Sequence, residues 1–402
     1  MTTPATGKGC VATRHPLFAA GFRPFFLLVG LSGPVLVTVW LAILAGVVPA
    51  GGAVAPVAWH SHEMLFGFVA AAVAGFLLTA VPNWTGAAPL SGRPLMGLTV
   101  LWLAGRVASL PDLAGNPVAA AVDVAFFPAL GAALAASLMT PGAKRNRMFL
   151  VLLGLLTVAS LLVRLDWLGV LPGAEGRGLA LAIGVVLVMI TVIGGRIVPA
   201  FTRNALRAGG DPTADVRTIA ALEILAPAVT VAMVVADVAL PGSALAGALA
   251  LAACVAHGVR LSGWRSLRTL RQPIVWVLHL GYGWLVVALG LKAAWQLAGL
   301  PVGMAWLHAL TVGAFATMIL GVMSRAALGH AGRPLVTPAA TVAGYGLLSL
   351  AAVARIAAPL LPGDAWGMTL AGAGVLWTLA FVLFLRDYAP VLLRARSDGR
   401  PG

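Results

Sequence analysis

Seven histidines, a few carboxylates and a few thioethers are the chemically active side chains of an otherwise apolar chain of 402 residues. The densest group is Trp59-His60-Ser61-His62-Glu63-Met64. At about 100° per helical residue, His60, Glu63 and Met64 share one face, while His62 points about 200° away from His60. One imidazole therefore faces one site, and the other faces a second site or plays a supporting role. His308 lies at a matching depth in a later apolar run, with Met304 one turn earlier and Thr311 one turn later on its face. Two imidazoles on facing helices at equal depth are what a b-type haem needs. Histidine with methionine suits copper, because thioether sulfur is soft and favours Cu(I). The rival role for such histidines is interhelical hydrogen bonding.

A looser set lies toward the other end of the same helices. His279 shares a face with Tyr282 and Gly283, His330 follows the His308 run, and His15 precedes the first run. Arg14, Arg196, Arg325 and Arg333 lie at similar depth. They suit a second metal site or a cradle for haem propionates, or are ordinary loop arginines. His257, at the basic end of its run, reads as interfacial and not as a ligand. Glu63, Arg106, Asp123, Arg164, Asp166 and Lys292 need partners, since an unpaired charge in hydrocarbon is costly. Asp123 and Glu223 are candidate proton carriers or members of structural ion pairs.

The elements that position these residues follow from composition. Hydrophobic residues make up 60 % of the chain and charged residues 9 %, against about a quarter charged in soluble domains. Lipid is the solvent that such a surface fits, so the bilayer is the first expected partner. A span takes roughly 20 apolar residues. Twelve stretches qualify: 22–48, 57–82, 93–110, 117–139, 147–166, 178–201, 214–238, 243–261, 273–297, 303–323, 337–360 and 365–387. The expected fold is an all-α polytopic bundle of about twelve transmembrane helices. It forms a single membrane domain over residues 1–402, with tails at 1–21 and 388–402. The first run exceeds a signal-peptide core in length and reads as an uncleaved helix.

The net charge of +14 does not point to nucleic acid, because the basic residues sit in alternate short loops. With the N-terminus in the cytoplasm, all but five of the 26 basic residues fall inside; the exceptions are Arg106, Arg164, Arg177, Lys292 and Arg355. Outer links carry Asp112, Glu175, Asp237 and Asp364. This is the positive-inside pattern of an inner membrane protein with both termini cytoplasmic and the loop at Gly51 outside. Cys10 and Cys254 belong to no C-x-x-C-H motif and are not expected to pair. Trp84, Trp264 and Trp366, near helix ends, read as interfacial anchors. Walker, Rossmann and Ser/His/Asp patterns are absent from the sequence.

A faint internal echo links helices 2, 6 and 10. His62-x-x-x-x-Gly67 is followed by Gly92-Arg93-Pro94-Leu95, and His308-x-x-x-x-Gly313 by Gly332-Arg333-Pro334-Leu335. Pro82-Asn83-Trp84-Thr85 on helix 2 is matched by Pro199-Ala200-Phe201-Thr202 on helix 6. The three helices are equivalent in a threefold array of four-helix units.

Several strings together resemble the NnrS family. They are Gly21-Phe22-Arg23-Pro24-Phe25-Phe26, His60-Ser61-His62-Glu63-Met64-Leu65-Phe66-Gly67, the run from Gly75 to Gly86, and Gly195-Arg196-Ile197-Val198-Pro199-Ala200-Phe201-Thr202. Leu278-His279-Leu280-Gly281-Tyr282, His308-Ala309-Leu310-Thr311-Val312-Gly313 and Leu328-Gly329-His330-Ala331-Gly332-Arg333 complete the set. The resemblance implies a bacterial membrane protein that carries haem b and copper and is tied to nitric oxide, in denitrification or nitrosative stress. It maps the family histidines onto His60, His62, His279, His308 and His330, but not His257. Ala331 stands where many relatives are expected to carry threonine. A weaker similarity is to the haem–copper oxidase core, which has twelve helices in a threefold array and haem ligands on helices 2 and 10. Histidines are missing from helices 6 and 7, where that core holds copper, so a standard dinuclear centre is not expected.

The expected site therefore has His62, His308 and His279 as haem ligands. His60, Met64, His330 and His15 serve copper or a second haem, and Arg196, Arg325 and Arg333 meet the propionates. Glu63 is the candidate catalytic residue, donating protons or fixing an imidazole tautomer; its rival role is pairing with Arg106 or Lys292. The expected function is nitric oxide binding, or reduction as an oxidoreductase with electrons from quinol or a cytochrome. The alternative is a secondary transporter, for which twelve helices are a common plan.

Overall fold

Apolar runs bounded by Gly, Pro and Asn build twelve helical rods in the computed structural model, which describes residues 15–49, 52, 54–211 and 215–399. They are α1 Phe22–Leu44, α2 Pro56–Thr85, α3 Gly92–Ala108, α4 Pro117–Leu138, α5 Met148–Trp167 and α6 Glu175–Ala208. The second half holds α7 Ala220–Ala239, α8 Ala244–Ser262, α9 Pro273–Ala298, α10 Gly303–His330, α11 Ala339–Leu360 and α12 Asp364–Leu393. Eleven are long and apolar enough to cross a membrane; α3, with 17 residues, is shorter. Strands are absent among the described residues.

Local signals set the ends. The side chain of Asn116 accepts from the backbone N–H groups of Val118 and Ala119, with Pro117 at the first helical position, so α4 starts there. Gly86, at φ 70°, takes the left-handed conformation that closes α2.

Several ends differ from expectation: α7 begins only at Ala220, and α10 continues to His330, which places that histidine in helix and not in a loop. Helix α6 runs on through Pro199 to Ala208. Helix α12 continues to Leu393, and Tyr388 and Leu392 on it are fully buried. The segment from 388 is thus packed helix and not tail, because its aromatic and apolar side chains find a core. The residues Lys8, Cys10, Arg14, Gly51 and Arg400 lie outside the described set.

Most helices pack on their chain neighbours, and α12 returns to α1. Three rods are the most enclosed. The apolar windows of α2, α6 and α10 are 72, 61 and 67 % buried, against 28–56 % for the other eight candidate spans. These are the three helices linked by the sequence echo.

Helices α2 and α10 share a second feature. Both change from α to π geometry directly at the echo motif, over Glu63–Val69 and Ala309–Ala316. Single π segments inside α-helices gather at functional sites. The glycine of each motif is required by a close neighbour. A Cβ on Gly67 would stand 3.0 Å from the Arg106 guanidinium, and one on Gly313 would stand 2.7 Å from the Trp284 ring.

Candidate cofactor-binding site

Three interior regions surround the inner helices, and five of the seven histidines are divided among them. The first is a cavity of about 180 Å³ between α1, α2, α10, α11 and α12. His60 and Met64 of α2 line it, and so do Met304 and His308 of α10. Trp40, Phe68, Phe315 and Trp377 supply aromatic walls. The His60 ring stacks on Trp40 with centroids 4.5 Å apart, and its Nδ1 is buried without a hydrogen-bond partner. His308 Nδ1 donates to the Met304 carbonyl at 2.8 Å. That bond fixes the tautomer and leaves Nε2 with a free lone pair, as in metal-ligating histidines. Arg355 also lines the cavity and makes no ion pair among the described residues.

The second region is a largely buried ion network between α2, α3, α4 and α5. His62 Nε2 meets Asp123 Oδ2 at 2.9 Å, and its Nδ1 meets Glu63 Oε1 at 3.1 Å. Arg106 donates to Glu63 Oε1 and to Asp123 Oδ1, both at 2.6 Å. Arg164 donates through Nε to Asp123 Oδ2 at 2.9 Å and through Nη2 to Ser109. Two guanidinium groups thus offset two carboxylates, which is what makes so buried a cluster tolerable.

The third region lies between α6, α7, α8 and α9. Arg260 pairs with Glu223 at 2.6 Å and donates to the Tyr282 hydroxyl at 2.8 Å. Tyr282 and Thr230 hold the two ring nitrogens of His257 at 2.6 and 3.1 Å. His279 is held likewise by Thr202 at 2.8 Å and Ser266 at 2.9 Å. A Cβ on Gly195 would stand 1.8 Å from the Arg260 guanidinium, so this glycine admits the arginine.

These placements correct several expectations. His62 does not face His308; both its nitrogens are taken by carboxylates, and His60 is the imidazole that shares the cavity with His308. Glu63 faces the ion network and not the cavity, so the arrangement is the pairing with Arg106. Both nitrogens of His279 are engaged by hydroxyls, which leaves neither free for iron. His257 is fully buried and not interfacial, and Trp264 is fully buried against Tyr282 and not a surface anchor.

His15 is exposed and accepts from the Leu17 backbone N–H. His330 packs its ring near Phe22, with centroids 5.8 Å apart. Arg196 donates to the Asn146 side chain, and Arg325 lies over the Phe201 ring at 3.9 Å. Arg325 and Arg333 follow His308 by 17 or more residues, which is about 25 Å or more along a helix at 1.5 Å per residue. They cannot reach a group held at His308; Arg355 is the cation that lines that cavity. Sequence reading missed its role, since only a fold brings α11 to α2.

One consequence concerns Glu63. Glu63→Gln keeps an acceptor for Arg106 and His62 but removes the charge. It is expected to lower stability by about 1–3 kcal/mol and to leave the absorption spectrum per folded protein unchanged. Thermal unfolding in detergent, read beside the absorption spectrum, checks both outcomes.

A bundle of this kind, with histidines on its innermost helices, defines a polytopic all-α membrane protein with an interior site. The model of the family described as NnrS protein matches residues 16–396. The chain belongs to the NnrS family, and that membership points to a membrane protein of the nitric oxide response. Among curated proteins no significant match was found.

Proposed function

We propose that His60 and His308, which line one cavity between α2 and α10, would hold a haem b, and that the protein handles nitric oxide there. The observation that carries this is the pairing of two imidazoles, each with an uncommitted ring nitrogen, in one aromatic-walled cavity. Arg355 supplies an unpaired cation at the wall, suited to a propionate. Bound haem would supply an iron able to take a diatomic ligand once one axial position is free. The residues of the chain hold and orient: Trp40 braces the His60 ring, and the Met304 carbonyl fixes that of His308. The ion network and the hydroxyl network fill the other two regions and keep the inner helices in register.

Binding of nitric oxide is favoured over its reduction. The carboxylate expected to deliver protons, Glu63, is turned away from the cavity and engaged by Arg106. A transporter would bind its cargo between broken helices, whereas α2 and α10 continue unbroken through their π segments.

One observation favours copper as a second reading. Met64 and Met304 flank the same two imidazoles, and two thioethers with two imidazoles form a donor set for Cu(I). Absorption spectroscopy and metal analysis of the purified protein separate the two. Haem b gives a Soret band and iron; copper without a Soret band would replace the haem assignment.

The proposal also orients the chain with both termini in the cytoplasm of a bacterial inner membrane. A reporter active only in the cytoplasm is expected to be active after Arg394 and inactive at Asp112. The opposite result at either position overturns the orientation drawn from the basic loops.

A further inference from the structure

We infer that a second, wholly apolar cavity, between α1 and the three innermost helices, is a binding site for a small uncharged gas, and that it delivers this gas to the His60/His308 cavity. The delivery half rests on the proposed haem site; the binding half does not. The cavity measures about 80 Å³ and lies between α1, α2, α6 and α10. Every residue lining it is apolar or glycine, among them Phe26, Val73, Met189, Ile190 and Met318. Val73, Ile190 and Ile319 keep accessible surface although they sit on the three innermost helices; that surface faces the cavity.

The chemistry of the lining selects the occupant. Buried water needs two to four polar partners, and apolar cavities stay dry and take up species such as xenon. Side chains here offer no hydrogen bond, and the backbone groups of the helices are spent in their own ladders. An ion or a polar metabolite would be desolvated without compensation. A diatomic or monatomic gas loses little on leaving water and gains dispersion contacts, for which the polarisable Met189 and Met318 sulfurs are suited.

Position supplies the link to function. The two cavities follow one another along the same three rods, about one turn apart. On α2 the lining passes from Phe68 to Ala72, on α6 from Ile183 to Val186, and on α10 from Phe315 to Met318. Val69 belongs to both walls. A gas held in the apolar cavity is therefore one side chain away from the cavity of the imidazoles.

Xenon is the probe for binding, and photolysis of bound nitric oxide is the probe for delivery. Crystals of the wild-type protein under xenon pressure are expected to show a xenon site between Val73 and Ile190. Val73→Phe, which fills the space from α2, is expected to abolish it. The same variant should keep the wild-type haem spectrum and slow bimolecular rebinding of nitric oxide several-fold. If Val73→Phe fails to insert, Ile190→Phe fills the cavity from α6. No xenon in the wild-type cavity overturns the gas site. Loss of xenon with an unchanged rebinding rate overturns delivery. A xenon site in a protein that binds no haem would support the gas site and refute the function proposed above.

Discussion

Alanine at His60 or at His308 is expected to strip the protein of its haem, while alanine at His62 leaves the haem content of the folded fraction unchanged. His60 and His308 line one cavity from two helices, and a haem that both would hold would lose one of its two protein ligands with either substitution. Even partners that only orient a ligand cost about 10–100-fold in metal affinity, so loss of the ligand itself should exceed that. His62 is a different case. Its nitrogens lie 2.9 and 3.1 Å from Asp123 and Glu63, and removing it perturbs the ion network alone. Haem per protein, from the pyridine haemochromogen spectrum, checks all three. Haem lost in His62→Ala and retained in His60→Ala would restore the pairing of His62 with His308.

The second large effect concerns Asp123. This carboxylate receives Arg106 on one oxygen and both Arg164 and His62 on the other, and its side chain is 1 % exposed. Asp123→Ala leaves two guanidinium groups facing each other with Glu63 alone to offset them. Removing one partner from a buried ion cluster costs about 3–5 kcal/mol, a large share of what holds a domain together. The variant is expected to insert poorly or to unfold at a much lower temperature in detergent. The double variant Asp123→Leu with Arg164→Met should recover part of the loss, since an apolar pair in place of a buried ion pair is often neutral or better. A wild-type melting temperature for Asp123→Ala would show that the network carries no stability.

Much of this architecture was legible in the chain. Helix count follows from the lengths of the apolar runs; the echo singled out α2, α6 and α10, and only the fold shows that they are the most enclosed. The opposed directions of His60 and His62 follow from ordinary helical spacing, which holds up to His62. Glu63 was placed on the face of His60, whereas its carboxylate is drawn to Arg106 of α3 and to its neighbour His62. Spacing along one helix cannot show which charge a neighbouring helix will supply.

Partner choice was illegible for another reason. Asp123, Arg106 and Arg164 were recognisable as charges in need of partners, yet they come from α4, α3 and α5, and only their packing decides which meets which. His279 was read as a ligand and His257 as interfacial, because their hydroxyl partners, Thr202 and Thr230 in apolar helices and Ser266 in the turn before α9, signal nothing by themselves. Arg355 gave no local hint, because its cavity is assembled from helices more than 300 residues apart in the chain, α1 and α12 among them.

The most direct measurement of the central claim is a titration of the reduced, purified wild-type protein with nitric oxide, followed by absorption. The account predicts a haem b Soret band that shifts on addition of nitric oxide and saturates at one equivalent per haem. That response should disappear in both His60→Ala and His308→Ala and persist in His62→Ala. A wild-type protein without haem, or a haem that nitric oxide leaves unchanged, would contradict it.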